Sequence, residues 1–198
     1  QVTKDNAIII FVDDEELQKL QMTGFSYEVL IDNWYDYYSK MPKLTESEKA
    51  SFIQNSKDNF GVEGFGFGSM GGFYTLAEVI SKIDSMRLLY PNLITSKVSI
   101  GNSVESRPIY MVKISDNPDI DETEPVILYT ALHHAREPQS MMQMIYFMYY
   151  LLENYNTNSS VQYLVNNREM YFIPVLNVDG YEYNRTTNPG GGGMWRKN

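Results

Sequence analysis

Both histidines of the 198-residue chain stand side by side in the stretch "ALHHAREPQS", as His133 and His134, and Glu137 follows three residues after the second. An imidazole nitrogen and a carboxylate oxygen are ligands for a catalytic zinc, which takes three protein ligands and keeps one position open for water. His134 and Glu137 give H-x-x-E; His133 and Glu137 give H-x-x-x-E. Successive side chains on an extended backbone point to opposite faces, so only one histidine of the pair is expected to share a cation with the carboxylate. The chain has no cysteine and no further histidine, so it offers neither a thiolate nor a third imidazole. The same residues also fit a plain surface pair before a helix, with Glu137 favoured by the positive end of the helix dipole. Spacing alone leaves both readings open.

The elements that hold these residues narrow the choice. "HHARE" follows the apolar run "PVILYTAL" and precedes "PQSMMQMIYFMYYLLENY", a long apolar helix with Pro138 in its first turn. The pair thus lies at the carboxyl end of a strand, where sites form in open α/β sheets. A second apolar strand, "EMYFIPVLNVDG", ends in "NVDGYEYN", and adjacent strand ends can feed one crevice. Soon after, "GGGGMWRKN" brings Arg196 behind Trp195 and a glycine loop. Its fork could serve a carbonyl oxygen or a carboxylate; otherwise it is a solvated basic pair with Lys197.

The remaining pattern gives the fold class. "TLAEVISKIDSMRLLYP" has helical spacing, with Thr75 as its cap, and "KVSIG" and "PIYMVKIS" read as strands. Strands separated by helices predict an α/β domain over residues 73–198, with a mixed, largely buried sheet and flanking helices. The front, "AIIIFVDDEELQKLQMTGFSYEVLID", reads as strand, helix, strand, with Asp13 or Asp14 as cap, Leu17 and Leu20 facing inward and Gly24 as stop. Residues 1–38 are expected to be a small α/β unit. Residues 39–72, polar and then glycine-rich, are expected to be a mobile linker with one weak helix near 45–54. Gly66 to Gly71 match G-x-G-x-x-G, but no buried strand precedes them, so a glycine-aromatic linker is favoured over a dinucleotide loop.

A net charge of −9 argues against nucleic acid and against anionic membrane surfaces as partners. No apolar run approaches the roughly 20 residues that span a bilayer.

The chain resembles the zinc carboxypeptidases of the carboxypeptidase A and B type from about Tyr74 to Asn198. The resemblance rests on "YTLAEVISKIDSMRLLYPNLITSKVSIGNSVESRPIYMVKIS", "HHAREPQS", "NVDGYEYN" and "MWRKN". It implies hydrolysis of a carboxy-terminal peptide bond in a peptide or protein substrate, with zinc as cofactor. His134 and Glu137 then look like zinc ligands, Arg136 like a residue contacting the substrate chain, and Arg196 like the arginine that stabilises the oxyanion. Asp179 and Gly180 look like a structural turn after the strand. The resemblance places the third ligand and the general base beyond Asn198, so the chain reads as a truncated piece, inactive as it stands. It also implies a pro-segment at the front and a secreted or periplasmic location. A zinc deacylase of amino acids on the same fold and a non-catalytic peptide-binding relative are the rival readings. Ser106 departs from the family, where glycine is commoner.

Overall fold

Four strands form where apolar runs end in turn residues: β1 (Val98–Asn102), β2 (Pro108–Ile114), β3 (Val126–Thr130) and β4 (Glu169–Ile173). The computed structural model describes residues 7–198, and in it the sheet runs in the order β1-β2-β4-β3. The β1–β2 and β2–β4 pairs are antiparallel, and β3–β4 is parallel. Parallel neighbours need a long crossover. Here it is made by α5 (Gln139–Asn154) and α6 (Ser159–Val165), with helices numbered in chain order.

Helix α5 has no side-chain cap at Pro138, no acid in its first turn and no base in its last. Burial holds it instead. Met141, Ile145, Met148 and Leu152 recur at helical spacing and pack against Val112, Ile114, Met170 and Phe172 of the sheet within one core. Helix α4 (Leu76–Leu89) joins the same core through Val79, Ile83 and Met86. It starts as expected, with Thr75 and Glu78 forming a reciprocal capping box.

The sheet is less buried than its apolar runs predict. Val126 and Leu128 of β3 are 61% and 58% exposed. Among the described residues β3 pairs with β4 alone, and only its Ile127–Tyr129 face packs on the core. "NVDGYEYN" is no simple turn either. It forms helix α7 (Val178–Thr187), because the Asn177 side chain accepts from Gly180 N and caps the first turn. Gly180 suits that turn because a Cβ there would lie 2.2 Å from the Lys197 carbonyl oxygen.

The chain divides into two compact units, residues 1–40 and 41–198. The segment expected as a mobile linker therefore belongs mostly to the larger unit. Helix α3 (Glu46–Phe60) is longer than expected and carries a Thr45–Glu48 capping box. The glycine-rich stretch after it is tied down by buried Val62, Phe65 and Met70. Glu153 accepts from the backbone of Glu63 and Gly64 at 2.7 and 2.8 Å, and Tyr74 accepts from Gly66 N. Gly68 lets the chain fold back, since a Cβ there would meet the Phe73 carbonyl at 2.1 Å. The G-x-G-x-x-G match is thus a packed fold-back and not a linker.

In the first unit, α1 (Asp14–Met22) is capped by Asp13, as read from sequence, and Leu17 and Leu20 are half-buried. A short α2 (Trp34–Ser39) follows, where the sequence suggested none. The flanking runs at Ala7–Val12 and Tyr27–Ile31 form no strand among the described residues, contrary to expectation. A strand persists only on a ladder with neighbours and an apolar face to pack. Ile8, Phe11, Val29 and Leu30 are exposed.

Candidate active site

The turn that carries the two histidines begins with a backbone reversal. Leu132, fully buried, adopts a left-handed conformation at φ 52°. Three bonds hold it there: Leu132 N donates to Ser140 Oγ at 3.0 Å, and Leu176 N and Asn177 N donate to the Ala131 and Leu132 carbonyls at 3.1 Å each. Left-handed backbone costs a branched residue roughly 1–2 kcal/mol, so it persists only where its surroundings impose it. The reversal separates the neighbouring histidines. His133 turns outward, where its Nε2 lies 3.1 Å from Thr130 Oγ1. His134 and Glu137 then close one turn, in which Glu137 N donates to the His134 carbonyl at 3.0 Å.

Within that turn His134 Nδ1 and Glu137 Oε2 are 2.9 Å apart. Arg196 arrives from the other side, with Nη2 3.3 Å from the same Nδ1 and Nε 4.0 Å from Glu137 Oε1. Nδ1 cannot both donate to Glu137 and accept from Arg196, because the first needs a proton on it and the second a lone pair. Two ligand atoms sharing one cation at about 2.0–2.2 Å each lie roughly 3.3 Å apart at a tetrahedral angle. The observed pair is close to that separation. The hydrogen bond from His134 comes first, with the charges of His134, Arg196 and Arg136 behind it, in holding the Glu137 carboxyl below its ordinary value despite some desolvation. An ionised carboxylate and an imidazole nitrogen fit zinc.

His134 and Arg196 border a cleft of about 360 Å³ between the His133–His134 turn, Leu176–Asn177 and residues 196–198, and Glu137 is exposed beside His134. All three are open to solvent. Arg136 is exposed and makes no hydrogen bond or ion pair among the described residues, yet stands near enough to act on Glu137. The structure thus brings His134, Glu137 and Arg196 together and leaves Arg136 at the rim. Among the described residues, a grouping of three metal-capable side chains occurs elsewhere, at Asp116, Glu122 and Glu124, and the His134–Glu137 pair has no third such neighbour.

Asn177 and Asn184, not singled out from sequence, build the floor together with Asp179, which was read as part of a turn. Buried Asn177 donates to the His133 carbonyl at 3.1 Å while capping α7. Buried Asn184 holds both backbone atoms of Trp195. Asp179 accepts from Ser103, from Glu105 N and from Arg107, which tie α7 to the β1–β2 turn. Burial pushes the Asp179 carboxyl up, but those bonds together keep it below its ordinary value. The polar Asn-x-Asp-Gly start of α7 was the available signal, since asparagine before a helix is a capping pattern.

The zinc carboxypeptidase family profile matches residues 79–198. A zinc carboxypeptidase of Saccharothrix mutabilis subsp. capreolus is 31% identical over 96% of this chain and 41% of its own length. Carboxypeptidase A2 of Mus musculus is 29% identical over 90% of this chain and 38% of its own. The crystal structure of carboxypeptidase A from Helicoverpa armigera shares the fold, with a TM-score of 0.63 over 93% of this chain and 41% of that one at 24% identity. The chain spans about two-fifths of the length of the curated relatives it matches. No helix among the described residues is long and apolar enough to cross a membrane. With a match over more than half its length, and with its H-x-x-E turn at the end of a strand beside a converging arginine, the chain belongs to the zinc carboxypeptidase family.

Proposed function

We propose that the protein hydrolyses the carboxy-terminal peptide bond of peptide or protein substrates, with His134 and Glu137 as zinc ligands, Arg196 as transition-state donor and Arg136 as a substrate contact. The observation that carries the reading is His134 Nδ1 standing 2.9 Å from Glu137 Oε2 and 3.3 Å from Arg196 Nη2, with His134 and Arg196 lining an open cleft. A zinc ion held there supplies Lewis-acid polarisation of a carbonyl and a water whose pKa falls to about 7.

The chain's own groups divide the remaining work. Glu137 stays ionised, so it offers a ligand without first losing a proton. Arg196 presents N–H donors beside the ligands, where an oxyanion develops when a carbonyl is attacked, and it cannot lose its proton. Arg136 stands at the rim with all its donors available for the carbonyls or carboxylate of a bound chain. Two ligands are half of a catalytic zinc site, and the proposal takes the third from outside the described residues. Residues 1–38 are assigned as a pro-segment remnant, and the protein as secreted or periplasmic, from family membership.

The protein expressed from its complete reading frame is the test material. Loaded with zinc, it should release terminal residues from a broad peptide set and stop on chelation. His134→Ala and Glu137→Ala should lose bound zinc, measured by elemental analysis. Arg196→Ala should keep its zinc while kcat falls about 100- to 1000-fold, the usual cost of one oxyanion donor. Release of no terminal residue by the zinc-loaded protein ends the peptidase reading. Cleavage of N-acyl amino acids would then indicate the deacylase, and peptide binding without turnover the non-catalytic relative.

A further inference from the structure

We propose that Asn184 is a positioning residue for Arg196, its buried amide fixing the backbone from which the guanidinium reaches the site. The inference rests on the reading of Arg196 as transition-state donor.

The problem that Asn184 solves is set by the sequence. Arg196 follows four consecutive glycines, 190–193, and two of them adopt positive φ, Gly191 at 90° and Gly192 at 80°. Glycine has the largest conformational freedom to lose on ordering, so such a loop does not place its neighbours unaided. Residues 194–198 are also exposed. Yet Nη2 of Arg196 lies 3.3 Å from His134 Nδ1. A guanidinium on a long side chain keeps such a position only if its backbone is held.

Asn184 holds it. The residue projects from α7, is 3% exposed, and places both ends of its amide on one neighbour: Nδ2 donates to the Trp195 carbonyl at 2.8 Å, and Trp195 N donates to Oδ1 at 3.0 Å. The pair of bonds fixes the orientation of Trp195 as well as its distance. The loop is shaped around this contact. A Cβ on Gly193 would meet Asn184 Oδ1 at 2.5 Å and its Cγ at 2.7 Å, so only glycine fits. Tyr183, one residue earlier on α7, packs its ring on Trp195 with centroids 5.0 Å apart. The next carbonyl, that of Arg196, accepts from Ala135 N at 3.2 Å, inside the histidine turn. One buried amide therefore connects α7 to the turn that carries His134 and Glu137. Preorganised donors stabilise charge because they are in place before it develops, and a misplacement of about 1 Å can cost a hundredfold.

The test is a double-mutant cycle in the zinc-loaded protein from the complete reading frame. Asn184→Ala should lower kcat about 10- to 100-fold, with KM within about twofold, since the lost interaction belongs to the transition state. Zinc content should not change. The affinity for a phosphonate peptide analogue of the tetrahedral intermediate, measured by calorimetry, should fall by the same factor as kcat. In the Arg196→Ala background, Asn184→Ala should change kcat less than about twofold, because groups acting as a unit are not additive. Gly193→Ala, which leaves every polar atom present but crowds Asn184, should reproduce the kcat loss and serves if Asn184→Ala fails to fold. Losses that multiply in the double variant, or an unchanged phosphonate affinity in Asn184→Ala, overturn the proposal. Full kcat in Arg196→Ala alone would instead overturn the reading of Arg196 on which it rests.

Discussion

Opposite ends of the β3–β4 pair carry opposite kinds of charge pair. At the amino end, where Val126 aligns with Glu169, Glu169 meets Lys113 at 2.6 Å with side chains 1% and 6% exposed. At the carboxyl end, Glu137 lies 4.0 Å from Arg196 with both side chains about half exposed, 54% and 49%. The first pair is enclosed. Lys113 also donates to the Ile120 carbonyl, and Glu169 accepts from Glu122 N and from the Tyr171 hydroxyl. The second pair faces a cleft, and its donors are only loosely engaged with the protein. Burial raises the cost of leaving a charge unpaired, so enclosed charges serve the fold. Charges on an open rim add little to stability and remain available to something that binds.

The largest expected effect comes from unbalancing the enclosed end. Lys113→Met strands the Glu169 charge and should destabilise the protein by about 3–5 kcal/mol, read from denaturant melts. Combining it with Glu169→Leu should recover most of that loss, because an apolar pair of similar volume is commonly neutral or better than a buried ion pair. A double variant no more stable than the single would show that the pair is not the cause. The pair also fixes an acid response. The Lys113 ammonium is the main cause holding the Glu169 carboxyl below its ordinary value, against the opposing effect of burial. Its stabilisation is therefore complete above the unfolded carboxylate value, about 4.3, and is lost as pH falls through the lower folded value. Melts between neutral pH and that acid range should show a steeper decline for the wild type than for the double variant.

An effect of intermediate size lies in the turn between β1 and β2. Ser106 adopts a left-handed φ of 62°, where an L side chain is strained. Its departure from the family's glycine was visible in sequence, but the strain was not, because backbone angle is set by the turn and not by the residue. Ser106→Gly should raise stability by about 1 kcal/mol, the strain released less the entropy glycine adds to the unfolded chain. A fall in stability would mean that the serine side chain contributes more than its backbone costs.

The sequence showed some of these features more plainly than others, for physical reasons. Helix α4 was visible because Thr75 and Glu78 signal a cap locally and Val79, Ile83 and Met86 mark its buried face. The partners His134 and Glu137 were visible because their closeness needs only one turn of chain. Asn184 was not, because its role depends on Trp195 returning to α7 through the glycine loop, a tertiary event. The stretch at 61–72 misled for the same reason. Its glycines resemble a linker by composition, but Glu153 and Tyr74, distant or turned back in the chain, supply the bonds that fix it. The strands expected in the first unit are absent among the described residues because an apolar run states a preference for burial and not the presence of a neighbour.

The smallest effect separates two adjacent residues of the same type at the open end. His133 and His134 differ by one position in sequence, but the left-handed Leu132 sends them to different surroundings. His133 Nε2 reaches Thr130 Oγ1, and the ring is exposed. His134 Nδ1 reaches Glu137 and Arg196. His133→Ala in the protein from the complete reading frame should therefore shift stability by no more than about 0.5 kcal/mol, as for other exposed positions. It should leave zinc content unchanged, because His133 is not within reach of the Glu137 carboxylate. His134→Ala should leave stability of the apo protein similarly unaffected and remove the zinc. If His133→Ala strips the metal as completely as His134→Ala, the backbone reversal at Leu132 does not sort the two rings. The assignment of the ligand pair to His134 and Glu137 would then have to be given up.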